Sequence, residues 1–198
     1  MAMTESTMMA LGTQAPSFTL KNTEHGITSL SDFDEAKVLV VLFICNHCPY
    51  VIHIAPKLAE LAKEYASKGV QFVAINSNDA ENFPADNFES MIEEKALRDY
   101  TFPYLFDETQ AVAKAFDAAC TPDIFVFDEQ QKLAYRGQFD ATRPTRISSG
   151  NYNSDSQATG ADLQAAINAL LANKAIDTKQ TPSIGCNIKW QAGNEPQY

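Results

Sequence analysis

From residue 38 to residue 44 the chain reads Val-Leu-Val-Val-Leu-Phe-Ile with no polar break. A short run that is apolar at every position, and rich in β-branched residues, predicts a strand buried on both faces. The pattern changes at residue 49. Apolar residues now recur at 51, 54, 58, 61, 62 and 65, a helical spacing that Lys68-Gly69 closes. Pro56 falls inside this helix and is expected to kink it or shift its register. Residues 70–76 form a second buried strand, and a polar loop, 76–87, leaves it.

The flanking segments follow from the same reading. Residues 15–20 and 26–29 predict a hairpin about the polar turn 21–25, and 30–33 a single helical turn. Helices are expected at 87–99, 110–116 and 160–174. The segment 102–106 contains Pro103 and is expected to be at best a short edge strand. Two strands, 123–128 and 133–137, face each other across the turn 129–131. Residues 140–160, rich in Ser, Thr, Asn and Gly, read as a long loop. Residues 1–14 are expected to be poorly ordered, and 175–198 to form a tail that Ile184, Ile188 and Trp190 dock on the body. Helices that first alternate with strands, followed by a late hairpin, predict a single α/β domain, 1–198, with a central mixed sheet and helices on both faces.

Composition narrows the function classes. The 198 residues carry a formal charge of −10, which argues against nucleic acid or an anionic membrane as partner. There is no run of about eighteen apolar residues, the length a membrane span needs. The N-terminus has no basic stretch and only a short apolar run, so no export signal is expected and the cytoplasm is the expected location. In a reducing compartment the four cysteines, Cys45, Cys48, Cys120 and Cys186, read as catalytic or metal-binding before structural.

Cys45-Asn46-His47-Cys48 follows the central strand directly, and Pro49 stands where a first-turn helix proline belongs. Two cysteines two residues apart at a strand-to-helix junction suit a dithiol that opens and closes as a disulfide. A thiol attacks only as thiolate, and a helix N-terminus favours the anion. Cys45 is the expected attacking thiol, His47 the group that tunes it, and Cys48 the resolving thiol. The competing readings are two core cysteines, or a zinc site using Cys45, Cys48, His47 or His53 with Cys120 or Cys186. Structural zinc usually draws on two closely spaced pairs, which Cys120 and Cys186 do not form, so no metal is expected.

Several motifs resemble the thioredoxin-like superfamily, and within it the peroxiredoxin-like redoxin-domain (AhpC/TSA-type) proteins. They are Gly12-Thr13-Gln14-Ala15-Pro16-Ser17-Phe18-Thr19-Leu20, Cys45-Asn46-His47-Cys48, Asn76-Ser77-Asn78-Asp79, Thr121-Pro122-Asp123 and the ending Ile184-Gly185-Cys186-Asn187-Ile188-Lys189-Trp190. The resemblance implies a three-layer thioredoxin-like fold with an N-terminal β-hairpin extension and a C-terminal tail. It implies that Pro122 is a cis proline facing the dithiol, with the Thr121 backbone free to pair with a substrate strand, and substrate contacts at Asn46 and Pro49. It departs from the peroxiredoxin pattern at three positions, one of them Val41, where a proline usually stands seven before the peroxidatic cysteine. Cys48 aligns with the peroxidatic position, but Cys45 replaces the threonine three before it, and Pro122 stands where the activating arginine is expected. It departs from thioredoxin in having Leu39 at the buried-acid position.

The expected function is therefore thiol–disulfide oxidoreduction. The partners would be substrate disulfides and an external thiol reductant, with no cofactor beyond the Cys45–Cys48 disulfide. The alternatives are a thiol peroxidase using Cys48 or Cys45 on peroxide, and a redox-sensing module without turnover. Cys120, two residues before Pro122, and Cys186, in the tail, are accessory thiols that can border the site. Arg136, Arg143 and Arg146 gather positive charge around the long loop, where solvation is the simpler reading.

Overall fold

A computed structural model describes residues 3–148, 150–153 and 156–196. In chain order its strands are β1 Met3–Glu5, β2 Thr19–Asn22, β3 Ile27–Ser29, β4 Val38–Phe43, β5 Val70–Asn76, β6 Tyr104–Phe106, β7 Cys120–Thr121, β8 Asp123–Phe127, β9 Leu133–Arg136, β10 Thr145–Ser148, β11 Asn151–Asn153 and β12 Ile184–Asn187. Its helices are α1 Pro49–Ala66, α2 Phe88–Arg98, α3 Ala111–Ala115 and α4 Ala161–Leu171, with short 3-10 turns at Leu30–Phe33 and Pro84–Asp86. Among the described residues no helix is long and apolar enough to cross a membrane.

Seven strands form one mixed sheet in the order β3-β2-β6-β5-β4-β8-β9. β4 pairs parallel with β5 and antiparallel with β8, so it sits inside the sheet, and all six of its residues are buried. Alternate side chains divide between two cores. Val38, Val40 and Leu42 pack with α1, Met91 of α2 and Leu163 and Ile167 of α4. Leu39, Val41 and Phe43 pack with α3, Phe116, Phe125 and Phe127 on the other face. That double burial is why the strand reads as an unbroken apolar run.

The structure differs from the sequence expectation in three places. Residues 102–106 do not make an edge: β6 lies between β5 and β2, bonded to both. Pro103 stands just before the strand, where its missing N–H removes no ladder bond. Met3–Glu5 is not loose but pairs antiparallel with β12. Residues 140–160 carry the exposed hairpin β10–β11. As expected, Pro56 lies inside helix α1, and it faces solvent.

One buried carboxylate organises the entry to α4. Asp140 accepts hydrogen bonds from the Thr142 N–H at 2.7 Å, the Thr159 N–H at 2.6 Å and the Gly160 N–H at 2.7 Å. Burial by itself would raise this carboxyl, but these donors outweigh it and hold it below the usual range. Gly160 has φ +66°, and a Cβ there would lie 2.6 Å from Leu61 Cδ1, so the turn needs glycine.

Replacing Asp140 by Ala is expected to destabilise the protein by about 2–4 kcal/mol, because buried N–H groups lose their acceptor. Urea denaturation reads the loss. A carboxyl held low contributes stability above its unfolded pKa, and that stability is lost as pH falls through the folded value. Asp140→Asn should therefore flatten the acid side of the stability profile.

Candidate active site

The dithiol stands where β4 ends and α1 begins, at the carboxyl end of a central strand. Cys45, Cys48, Cys120 and Cys186 are all free thiols, and all four are buried. Cys48, not Cys45, is the N-cap of α1, with an extended backbone at φ −72° and ψ 123°. The helix's unpaired N–H groups therefore face Cys48. Cys48 thus holds the place at the helix N-terminus that the sequence reading gave to Cys45.

Burial alone would raise the Cys48 thiol. Hydrogen bonds from the Cys186 and Cys45 thiols, and from the backbone N–H groups of Val51 and Cys186, outweigh burial and hold Cys48 well below the usual thiol range. Burial, together with the neighbouring Cys48 sulfur and the Asp86 charge, pushes Cys45 well up; the Thr121 hydroxyl, 3.4 Å from its sulfur, opposes this. Cys186 is raised by its hydrogen bond to Cys48 and by burial. Its sulfur lies 2.9 Å from that of Cys48. Cys186 therefore belongs to the site. Cys120 lies within electrostatic reach of Cys48. Its thiol faces the Pro122 carbonyl at 3.4 Å and is raised by burial, to which the Cys48 charge adds.

The Thr121–Pro122 peptide bond is cis. The Thr121 backbone is not free, however. Its carbonyl lies 3.1 Å from the Cys48 sulfur, and β7 is paired with β12, Cys186 standing opposite Thr121. Asn46 is engaged within the chain as well. The Asn46 N–H donates to Asp86 at 2.8 Å, its side-chain amide to the Ala85 carbonyl at 2.8 Å, and its side-chain oxygen accepts from the Tyr104 hydroxyl at 2.9 Å. Pro49 is the first residue of α1. These residues shape the turn.

Asp86 is the group that spacing did not reveal. It is fully buried, takes the Asn46 N–H on one oxygen, and on the other takes the Asn78 amide at 2.7 Å and His47 Nδ1 at 2.8 Å. That contact raises His47 above its ordinary value against the opposing effect of burial. The signal available in sequence was weak: an acid in the polar loop leaving β5, beside the end of β4. Asn76, Asn78 and Asp79, which sequence left between cleft and cap, brace this loop and the C-terminal segment. Asn78 accepts from the Lys189 N–H at 2.9 Å, and the Asp79 N–H donates to the Lys189 carbonyl at 2.8 Å. Cys45, His47 and Asp86 also place a sulfur, a nitrogen and an oxygen within 4.8 Å of one another, a set of possible metal ligands unlike the one that spacing suggested.

The other candidates lie further out. His53 is buried, lowered by burial, and meets the Thr142 hydroxyl at 2.8 Å. Arg143 folds back on the Asp140 and Thr142 carbonyls, which accept its N–H groups at 2.5 and 2.6 Å. A buried acid does exist near the site, at Asp123 directly after the cis bond, although Leu39 fills the position where one was sought. Burial raises Asp123 to about 7, with the N–H groups of Ala119, Ile124 and Cys120 and the Ser6 hydroxyl opposing the shift.

Residues 11–136 match the model of the AhpC/TSA family. A solved structure of an uncharacterized conserved protein from Geobacillus kaustophilus is 48% identical, with a TM-score of 0.90, over 96% of this chain and 97% of that one. The thiol-disulfide oxidoreductase ResA of Geobacillus thermodenitrificans is 29% identical over 130 residues, 66% of this chain and 70% of that protein. The peroxidoxin BcpB of Mycobacterium tuberculosis, 19% identical, superposes with a TM-score of 0.61 over 84% of this chain and 99% of that one, which shows a shared fold. The fold is thioredoxin-like.

Asp86→Asn is expected to shift the His47 titration to lower pH, since the anionic partner is lost; an NMR titration of the ring reads this directly, and an unchanged curve would remove the ion pair. Asp123 gives the opposite kind of pH dependence to Asp140. A carboxyl raised to about 7 in the fold but ordinary when unfolded lowers stability as pH rises from about 4 to 7, by something on the order of 4 kcal/mol in all. Asp123→Asn should abolish that slope in denaturation curves recorded across this range.

Proposed function

The chain belongs to the AhpC/TSA family, and we propose that it is a thiol–disulfide oxidoreductase whose working dithiol is Cys45 and Cys48. The observation that carries this reading is a pair of free thiols on one turn at the N-terminus of α1, with Cys48 at the N-cap itself. Cys48 attacks a substrate disulfide as thiolate, and Cys45 resolves the mixed disulfide. The roles are thus the reverse of those expected from spacing. The name of the ResA relative supports the same chemistry. The turn is held by Asp86 and Tyr104 through Asn46, and His47 supplies positive charge near the sulfurs when protonated.

No cofactor is needed beyond the disulfide itself and an external thiol that restores it. The partners are disulfides of proteins or small molecules. A dithiol that must return to the reduced state suits a reducing compartment such as the cytoplasm. Peroxide reduction, an antioxidant activity, is the second reading. It is favoured by the family and by the same low-pKa Cys48 at the aligned position. Its weakness is the proline at the place of the activating arginine, since a peroxide needs donors for its leaving oxygen.

Titration of the couple against glutathione, with acid quench and alkylation, is expected to show a reversible two-electron couple within about −270 to −120 mV. Absence of any disulfide at every poise would overturn the proposal. Cys48→Ser should reduce turnover of a chromogenic disulfide to the uncatalysed rate. The same enzyme given peroxide with a recycling reductant tests the second reading.

A further inference from the structure

The backbone edge beside the cis Thr121–Pro122 bond is already occupied. β12 runs antiparallel along β7, with Cys186 opposite Thr121 and Asn187 opposite Cys120, and the Ile188 N–H continues the pairing to the Ala119 carbonyl at 3.1 Å. On its other side β12 is closed by β1, Met3 standing opposite Cys186. The approach is closer than any side chain allows. A Cβ on Gly185 would lie 2.0 Å from the Thr121 carbonyl oxygen and 2.5 Å from its carbon. The strand so placed delivers the Cys186 sulfur to 2.9 Å from that of Cys48.

An extended segment that pairs with the backbone beside a nucleophilic sulfur, and carries a cysteine to that sulfur, is bound as a peptide substrate would be bound by strand addition. A cysteine that served only packing would need neither the glycine nor the contact with Cys48. We propose that the C-terminal strand is an internal substrate of the dithiol, and that Cys186 is a third redox thiol which forms a disulfide with Cys48 in exchange with the Cys45–Cys48 disulfide. The inference rests on the thiol–disulfide reading above.

The steps balance. The Cys48 thiolate attacks an external disulfide; a Cys48–substrate bond forms, the substrate S–S bond breaks, and the departing sulfur takes up a proton. Cys186 loses its proton and attacks the Cys48 sulfur. The Cys48–Cys186 bond forms, and the second substrate sulfur leaves and is protonated. The external disulfide has gained two electrons, and the protein has lost two. Attack of Cys45 on the Cys48 sulfur then converts one internal disulfide into the other and frees Cys186 as a thiol, with no net electron transfer. An external protein strand reaches the Thr121 edge only when β12 gives it up, so the internal strand also competes with such substrates.

Tryptic mapping tests this on the full chain. Cys45 and Cys48 fall together in the peptide 38–57, and Cys186 falls alone in 180–189. The protein is equilibrated with glutathione over a range of poises, quenched in acid, alkylated and digested. The expected result is a disulfide-linked pair of these peptides in the wild type at intermediate poise, becoming the main oxidised species in Cys45→Ser. Adding Gly185→Ala to Cys45→Ser should lower the yield of that link against glutathione at least tenfold. Three results would overturn the inference. In the first, the wild type holds only the disulfide within 38–57 and Cys45→Ser holds only glutathione on Cys48, which leaves the oxidoreductase reading standing. In the second, the link is unaffected by Gly185→Ala, which removes the strand as carrier. In the third, no disulfide forms on 38–57 at any poise, and both readings fall together.

Discussion

A sulfur taken fully out of water stays an anion only if hydrogen-bond donors replace the water it has lost, and the site is built to meet that constraint at Cys48. The donors come from separate parts of the chain: the first turn of α1, the neighbouring Cys45, and the Cys186 thiol and N–H on the C-terminal strand. Each is held by something else. The α1 turn is fixed because β4 is buried on both faces and ends where the helix begins. The Cys45–Cys48 turn is held by Asp86 and Tyr104. The C-terminal strand is held because Gly185 lets it lie against Thr121 and Pro122.

Buried carboxylates show the same balance with different outcomes. Asp140 gathers N–H donors from both ends of a long loop and is held low. Asp123, more completely enclosed, has opposing donors that do not offset the cost of burial, and it rises to about 7. Asp86 gathers the Asn46 N–H, the Asn78 amide and the His47 ring, and the last contact raises the imidazole. Among the described residues Asp79 and Asp107 are buried as well, and the donors around each carboxylate decide what it can do.

The C-terminal segment is the part of the fold on which the chemistry turns. It braces the loop after β5 through Lys189, fills the strand position beside the cis bond, and brings a third thiol to the dithiol. A site that a strand of the same chain covers is open to external partners only through motion of that strand. The strand that covers Thr121 also supplies part of the lowering of Cys48, through the Cys186 thiol and N–H.

What the sequence determined by itself was whatever depends on neighbours along the chain. The unbroken apolar run 38–44, the helical spacing after Pro49 and the Cys-x-x-Cys at their junction marked the central strand, the first helix and the dithiol, because periodicity and turn chemistry are local. Only the tertiary structure decided the rest. Which cysteine caps the helix depended on where the first turn begins, a matter of one to three residues that pattern does not resolve. That β6 lies inside the sheet, and that Met3–Glu5 is ordered, depended on partners about 80 and 180 residues away in the chain. Asp86 reached His47 through a fold-back of a polar loop, and Cys186 reached Cys48 across 138 positions. Contacts over such separations leave no mark in local pattern, because only the assembled sheet brings their backbones together.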